Sequence, residues 1–156
     1  MNILVLCTGN SARSILLESI LTHRSDGRIT AWSAGFRPAG KVHPQSIALL
    51  RANGFPTNGL SSQSWDDYAK DDAPVMDAVI TVCGSAATEE CPYWPGAPLR
   101  AHWGVEDPAA AKPDDQPAAF AEAYRLLDAR AQQLLALPFE TMSQDDLQSA
   151  LNRIGT

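Results

Sequence analysis

The sequence predicts an α/β fold: a doubly wound, four-stranded parallel sheet with helices on both faces. Three observations predict it. Short apolar runs alternate with segments of helical periodicity along most of the chain. The runs Ile3-Leu4-Val5-Leu6 and Ala78-Val79-Ile80 are apolar at every position, as strands buried on both faces require. The chain has 156 residues with 45% hydrophobic content, enough for one core in one domain.

Residues 2–6 read as the first strand, and the polar stretch Cys7 to Ser14 interrupts the apolar pattern. A helix is expected from Ala12 to His23, with Ile15, Leu16, Ser19 and Ile20 on one face. Asp26-Gly27 marks a turn, and Arg28 to Ser33 reads as the second strand. A helix over Pro44 to Ala52 follows, stopped by Asn53-Gly54. Ser64 is placed to cap a short helical piece carrying Trp65 and Tyr68. Met76 to Val82 and Leu99 to His102 supply the third and fourth strands. The longest helix is expected over Ala118 to Leu137, with Phe120, Tyr124, Leu127, Ala131 and Leu134 along its apolar stripe and Pro138 ending it. Residues 1–138 are expected to form the main domain. Residues 139–156 read as a C-terminal extension carrying one short, loosely packed helix over Asp145 to Ile154.

Composition narrows the function. Twelve Lys and Arg against eighteen Asp and Glu give a net charge of −6, which argues against nucleic-acid binding. No apolar run reaches the length of a membrane span, and Met1 to Cys7 lacks the basic region of a signal peptide, so a cytoplasmic location is expected. The three cysteines, Cys7, Cys83 and Cys91, form no secreted disulfide framework and point to reactive or relay thiols, or to small buried fillers.

The strongest motif is Cys7-Thr8-Gly9-Asn10-Ser11-Ala12-Arg13-Ser14, which leaves a strand and enters a helix. In open α/β sheets ligands sit beyond the carboxyl ends of the strands, which is where this loop falls. A loop of five residues between Cys7 and Arg13 can turn successive amides inward on one tetrahedral oxyanion. Gly9 is read as supplying an unusual backbone angle or a close approach. Asn10 and Ser11 are read as holding the loop through their side chains. Arg13 can fork onto two oxygens of the anion, and Ser14 can donate to the sulfur. Cys7 at the base is expected to be thiolate, favoured by the amides and the helix terminus. There is no Gly-Lys-Ser/Thr and no Gly-x-Gly-x-x-Gly, so this is not a nucleotide loop of either kind.

Cys83 ends the third strand and should share a sheet edge with Cys7, and Cys91 follows eight residues on. This permits a specific chemistry. Cys7 attacks an oxyanion centre, a second thiolate attacks Cys7, and the centre leaves with two electrons while a third thiol carries the disulfide outward. Without such chemistry Cys83 and Cys91 are simply small apolar residues. Asp107, stiffened by Pro108, is placed to act as general acid or to manage the thiol protons, or else to make an Asp-Pro turn. Trp103 reads as packing, His43 as a loop or cap residue, and His23 as a solvated helix end.

On these residues the chain resembles the low-molecular-weight protein tyrosine phosphatase superfamily and, within it, the arsenate reductases that run on a cysteine relay. Cys7 to Ser14 matches the phosphate loop, and Trp32-Ser33-Ala34-Gly35 the second-strand signature. Val79 to Cys83 with Cys91-Pro92 matches the redox segment, and His102 to Pro108 the acid loop. Ala109 stands where the phosphatases carry a tyrosine. The resemblance implies Cys7 as nucleophile on arsenate, Arg13 and the loop amides as oxyanion binders, and Asp107 as proton donor. It implies a Cys7–Cys83 disulfide as arsenite leaves, passed to Cys83–Cys91 and reduced by thioredoxin or glutaredoxin. No tightly bound cofactor is implied. A potassium ion is, with Asn10, Glu18 and Ser33 matching three ligands and the acidic fourth falling near Gln63. The alternatives are a phosphatase acting on phosphate monoesters, or a non-enzymatic oxyanion-binding or redox regulator.

Overall fold

The computed structural model describes residues 1–84, 94 and 96–156. Four parallel strands form one sheet: β1 (Asn2–Cys7), β2 (Thr30–Gly35), β3 (Ala78–Thr81) and β4 (Leu99–His102), in the order β2-β1-β3-β4. The helices are α1 (Arg13–Arg24), α2 (Pro44–Ala52), α3 (Gln116–Leu135) and α4 (Gln144–Ile154). A 3-10 turn at Trp65–Tyr68 and two more within 108–115 complete the described elements. Every residue of β3 and all but the first of β1 are buried, so the sheet centre is covered on both faces. From β1 the chain steps to β2 on one side, then crosses to β3 on the other. The switch point lies between the carboxyl ends of β1 and β3, where such sheets bind ligands.

β2 begins two residues later than expected. Asp26 and Gly27 both take positive φ, and Arg28 is pulled out of the strand to clamp the end of α3. Its guanidinium donates to the carbonyls of Leu135 and Leu137 and to the Glu140 carboxylate, and lies over the Phe139 ring. β3 is also shorter than expected, although the flanking backbone still bonds its neighbours: the Asp77 amide donates to Asn2 O at 2.8 Å and the Val82 amide to Leu6 O at 2.9 Å, while the Asp77 carboxylate accepts the Asn2 amide at 2.7 Å.

The loose C-terminal helix expected from the sequence is instead packed. Leu147, Ala150, Leu151 and Ile154 are buried, and Ser143 caps the first turn through a bond from the Asp146 amide. Trp103, fully buried, donates its indole N–H to the Leu151 carbonyl at 3.0 Å. Gln148 exchanges two hydrogen bonds with the Arg100 backbone, accepting from N at 3.3 Å and donating to O at 2.7 Å. It thereby satisfies groups on β4, the edge of the sheet.

Candidate active site

Three carbonyls of the loop from Cys7 to Arg13 are tied to the segments around it. Thr8 O accepts from the Arg37 amide at 3.0 Å. Gly9 O accepts from the Ala39 amide at 2.8 Å and from Ser62 Oγ at 2.9 Å. Ser11 O accepts from the His43 amide at 3.0 Å and Ser46 Oγ at 2.9 Å. With these carbonyls engaged elsewhere, the loop residues Cys7, Thr8, Gly9, Ser11, Ala12 and Arg13 line one pocket, the placement an anion nest requires. The end of α1 points the same way: its N-cap Ala12 offers no side-chain acceptor, whereas Ser64 and Ser143 cap their own turns.

Two expectations about glycine are corrected. The residue with positive φ is Asn10 (φ 49°), not Gly9, and space around Gly9 is ordinary. The glycine that permits close approach is Gly35, where a Cβ would stand 2.5 Å from Thr8 O and 3.1 Å from Asn10 N. Asn10 tolerates its backbone because its side chain is fully used. Nδ2 donates to Ser14 Oγ (2.9 Å) and Ser33 Oγ (2.8 Å), and Oδ1 accepts the Gln63 amide (2.8 Å). Ser14 is thus engaged with Asn10, and Ser11 holds the loop through its carbonyl rather than its side chain.

A pocket of about 450 Å3 opens above this loop, lined by Cys7, Arg13, Cys83, Asp107 and Ala109 among others. Cys7 and Cys83 are both buried thiols at its floor. They hydrogen-bond to one another, and Cys83 Sγ also lies 3.3 Å from Thr8 Oγ1. The expected resting thiolate at Cys7 is not what this arrangement favours. The hydrogen bond with Cys83 and burial push the Cys7 thiol far above its usual range, against the downward pull of Arg13 and the Thr8 amide. Two thiols this close share one first ionisation, and the second proton is hard to remove. Cys91 lies outside the described residues.

Arg13 is 9% exposed and reaches over the pocket. Nη1 donates to Val105 O at 2.9 Å and Nη2 lies 3.8 Å from Asp107 Oδ2, while Nε is buried with no acceptor among the described residues. That unused donor beside the nest is suited to a bound oxyanion. Asp107 also accepts the Ala109 amide at 3.0 Å, which fixes it as the cap of the turn at 108–110. The bond from Arg13 to the Val105 carbonyl has no signal in the sequence, since nothing in a residue's identity marks its backbone oxygen for use. Trp103 is packing, as expected. His43 caps α2, accepting the Gln45 amide at 3.1 Å, and His23 is exposed.

Asn10, Glu18 and Ser33 do come together beneath the loop. Glu18 accepts from the Ser33 hydroxyl and amide, yet burial pushes its carboxyl up to about 7. Gln63 completes the cluster: Nε2 donates to Ser33 O at 3.4 Å, and its side chain bonds the Tyr68 hydroxyl. The fourth position thus supplies an N–H donor rather than an anionic oxygen, and the set does not fit a potassium ion, a hard cation that takes oxygen ligands.

A buried cysteine, a nearly buried arginine and an aspartate thus line one pocket at the carboxyl edge of a parallel sheet. The chain belongs to the low molecular weight phosphotyrosine protein phosphatase family, which it matches over residues 2–148. Among its relatives is an arsenate reductase of Bacillus licheniformis, 36% identical over 107 residues, or 69% of this chain and 73% of that protein. The structure is similar to an arsenate reductase solved in its phosphate-binding state (TM-score 0.69, 27% identity, 86% of this chain and 96% of that one). It is also similar to a thioredoxin-dependent arsenate reductase of Corynebacterium glutamicum (TM-score 0.63, 26% identity, 85% of this chain and 59% of that one). Among the described residues, no helix is long and apolar enough to cross a membrane.

Proposed function

We propose that this protein reduces arsenate to arsenite and is itself reoxidised and reduced through a cysteine relay. The observation that carries this reading is the contact between Cys7 and Cys83 at the floor of the oxyanion pocket. A phosphatase of this design needs one thiol there; a reductase needs two. Arsenate sits in the nest, held by the inward amides and Arg13. The Cys7 thiolate attacks arsenic, an oxygen leaves as water with protons supplied from Asp107 and solvent, and a sulfur–arsenic(V) bond forms. Cys83 then attacks the Cys7 sulfur. The sulfur–sulfur bond forms as the sulfur–arsenic bond breaks, and the electron pair stays on arsenic, which departs as arsenite. Cys91 attacks Cys83, releasing Cys7, and a dithiol protein of the thioredoxin or glutaredoxin type reduces the Cys83–Cys91 disulfide.

Phosphate has nearly the same shape and charge, so binding alone does not select arsenate. Selection falls on the reduction step, because arsenic accepts two electrons under thiol attack far more readily than phosphorus. The names of the relatives agree with this reading. Ala109 agrees as well, since among the described residues that line the pocket none offers an aromatic ring to stack on a phosphotyrosine.

The test couples arsenate to thioredoxin, thioredoxin reductase and NADPH, and follows NADPH loss in the wild type, C83A and C91A. Turnover in the wild type that is lost in both variants is the expected result. No turnover with either thioredoxin or glutaredoxin, beside clear hydrolysis of an aryl phosphate, would replace the reductase with a phosphatase.

A further inference from the structure

Beneath the oxyanion loop, a network of hydrogen bonds links Glu18, Ser33, Asn10, Gln63 and Tyr68. We propose that the Gln63 side-chain amide takes the place of a monovalent cation in this network, so that the loop is braced by hydrogen bonds alone and binds no potassium there.

A cation site needs several oxygens with lone pairs free and aimed at one point. Here those oxygens already face protons. Ser33 O faces Gln63 Nε2, and Asn10 Oδ1 accepts the Gln63 backbone N–H. Ser33 Oγ accepts from Asn10 Nδ2 and donates its hydroxyl hydrogen bond to the Glu18 carboxyl. The amide NH2 of Gln63 carries partial positive charge and directs it at Ser33 O and the Tyr68 oxygen, much as a small cation would. The backbone that carries it is held in place. The Gln63 carbonyl accepts the Gly35 amide at 2.9 Å, and Gly35 pairs with Ser64 as a parallel bridge. A carboxylate at position 63 would reverse this, adding a second negative charge opposite Glu18 and replacing donors with acceptors. The argument concerns the support of the loop and holds whichever oxyanion the loop takes.

The experiment is thermal melting of the reduced, full-length chain at constant ionic strength in potassium, sodium or tetramethylammonium chloride. The wild type is expected to melt at the same temperature in all three salts. Gln63→Asp is expected to melt a few degrees higher in potassium than in tetramethylammonium, saturating with concentration as ligand binding does. A saturable, potassium-specific rise in the wild type would overturn the proposal. A folded Q63D with no potassium response would overturn it too, because residue 63 would then not decide cation binding. Gln63→Glu serves if Q63D does not fold, and the wild-type melts decide the question without either. No turnover enters the readout, so the result is separate from that of the reductase assay.

Discussion

Gly35 lies directly against Thr8: a methyl group on its α-carbon would stand 2.5 Å from the Thr8 carbonyl oxygen. Both contacting atoms are backbone, so neither can swing aside. Gly35→Ala must displace the loop or the end of β2. We expect a stability loss of about 1–3 kcal/mol, the range for forced overpacking, read from urea unfolding. Phosphate affinity should fall more steeply than stability, because the displaced atoms are those that orient the nest. Unchanged phosphate binding in a folded G35A would show that the loop tolerates the shift.

Removing Cys83 takes away the largest upward influence on Cys7 and leaves Arg13 and the Thr8 amide. Cys7 in C83A should therefore ionise at lower pH than in the wild type. The rate of alkylation by iodoacetamide against pH, with modification at Cys7 located by mass spectrometry, measures this. The inflection should move downward in C83A. An upward shift would mean that Cys83 helps Cys7 ionise.

Glu18 gives stability a pH dependence of definite sign. Burial raises its folded carboxyl from the usual 4.5 to about 7, so the folded state holds the proton more tightly than the unfolded one. The stabilisation is complete below the unfolded value, declines between pH 4.5 and 7, and is lost above the folded value. The loss should amount to about 1–3 kcal/mol at pH 8. Glu18→Gln, which cannot ionise, should flatten this portion of the stability–pH curve. Parallel curves for the two proteins would show that Glu18 titrates normally.

Leu151 is fully buried where α4 meets β4, and its carbonyl receives the Trp103 indole. Leu151→Ala should cost about 2–5 kcal/mol, as other buried leucine truncations do. A loosely attached tail would lose almost nothing, so chemical denaturation of L151A separates the two pictures.

Asp107 stands beside the Arg13 fork with its side chain 45% exposed, within reach of both pocket and solvent. Asp107→Asn should lower arsenate turnover by about 10²–10⁴-fold if it supplies the leaving proton, with little change in phosphate binding. Equal losses in both would make its role the placement of Arg13.

The strand–helix alternation and the Cys7–Ser14 motif were legible because each is written in consecutive residues. So was the meeting of Cys7 with Cys83, since parallel strands end on the same side of a sheet. Less legible were features made by distant partners. Asn10 takes the strained backbone because Ser33 and Gln63 hold its side chain, and no local pattern around Asn10 announces them. Gly35 matters for what it lies against, the backbone of Thr8 and Asn10. The apolar spacing of Leu147, Leu151 and Ile154 was visible, but its partner, the buried Trp103 just beyond the end of β4, had to be seen in place.

Pairing of Leu6 with Thr81 means that Cys83 sits one step beyond the position level with Cys7. Neighbouring strands run about 4.8 Å apart and rise about 3.3 Å per residue, so this offset spaces the two α-carbons by roughly 6 Å. Disulfides bridge about 4.4–6.8 Å between α-carbons. For the proposed relay the sheet is therefore a gauge block: the register of β1 against β3, rather than the length of a loop, sets the gap between Cys7 and Cys83.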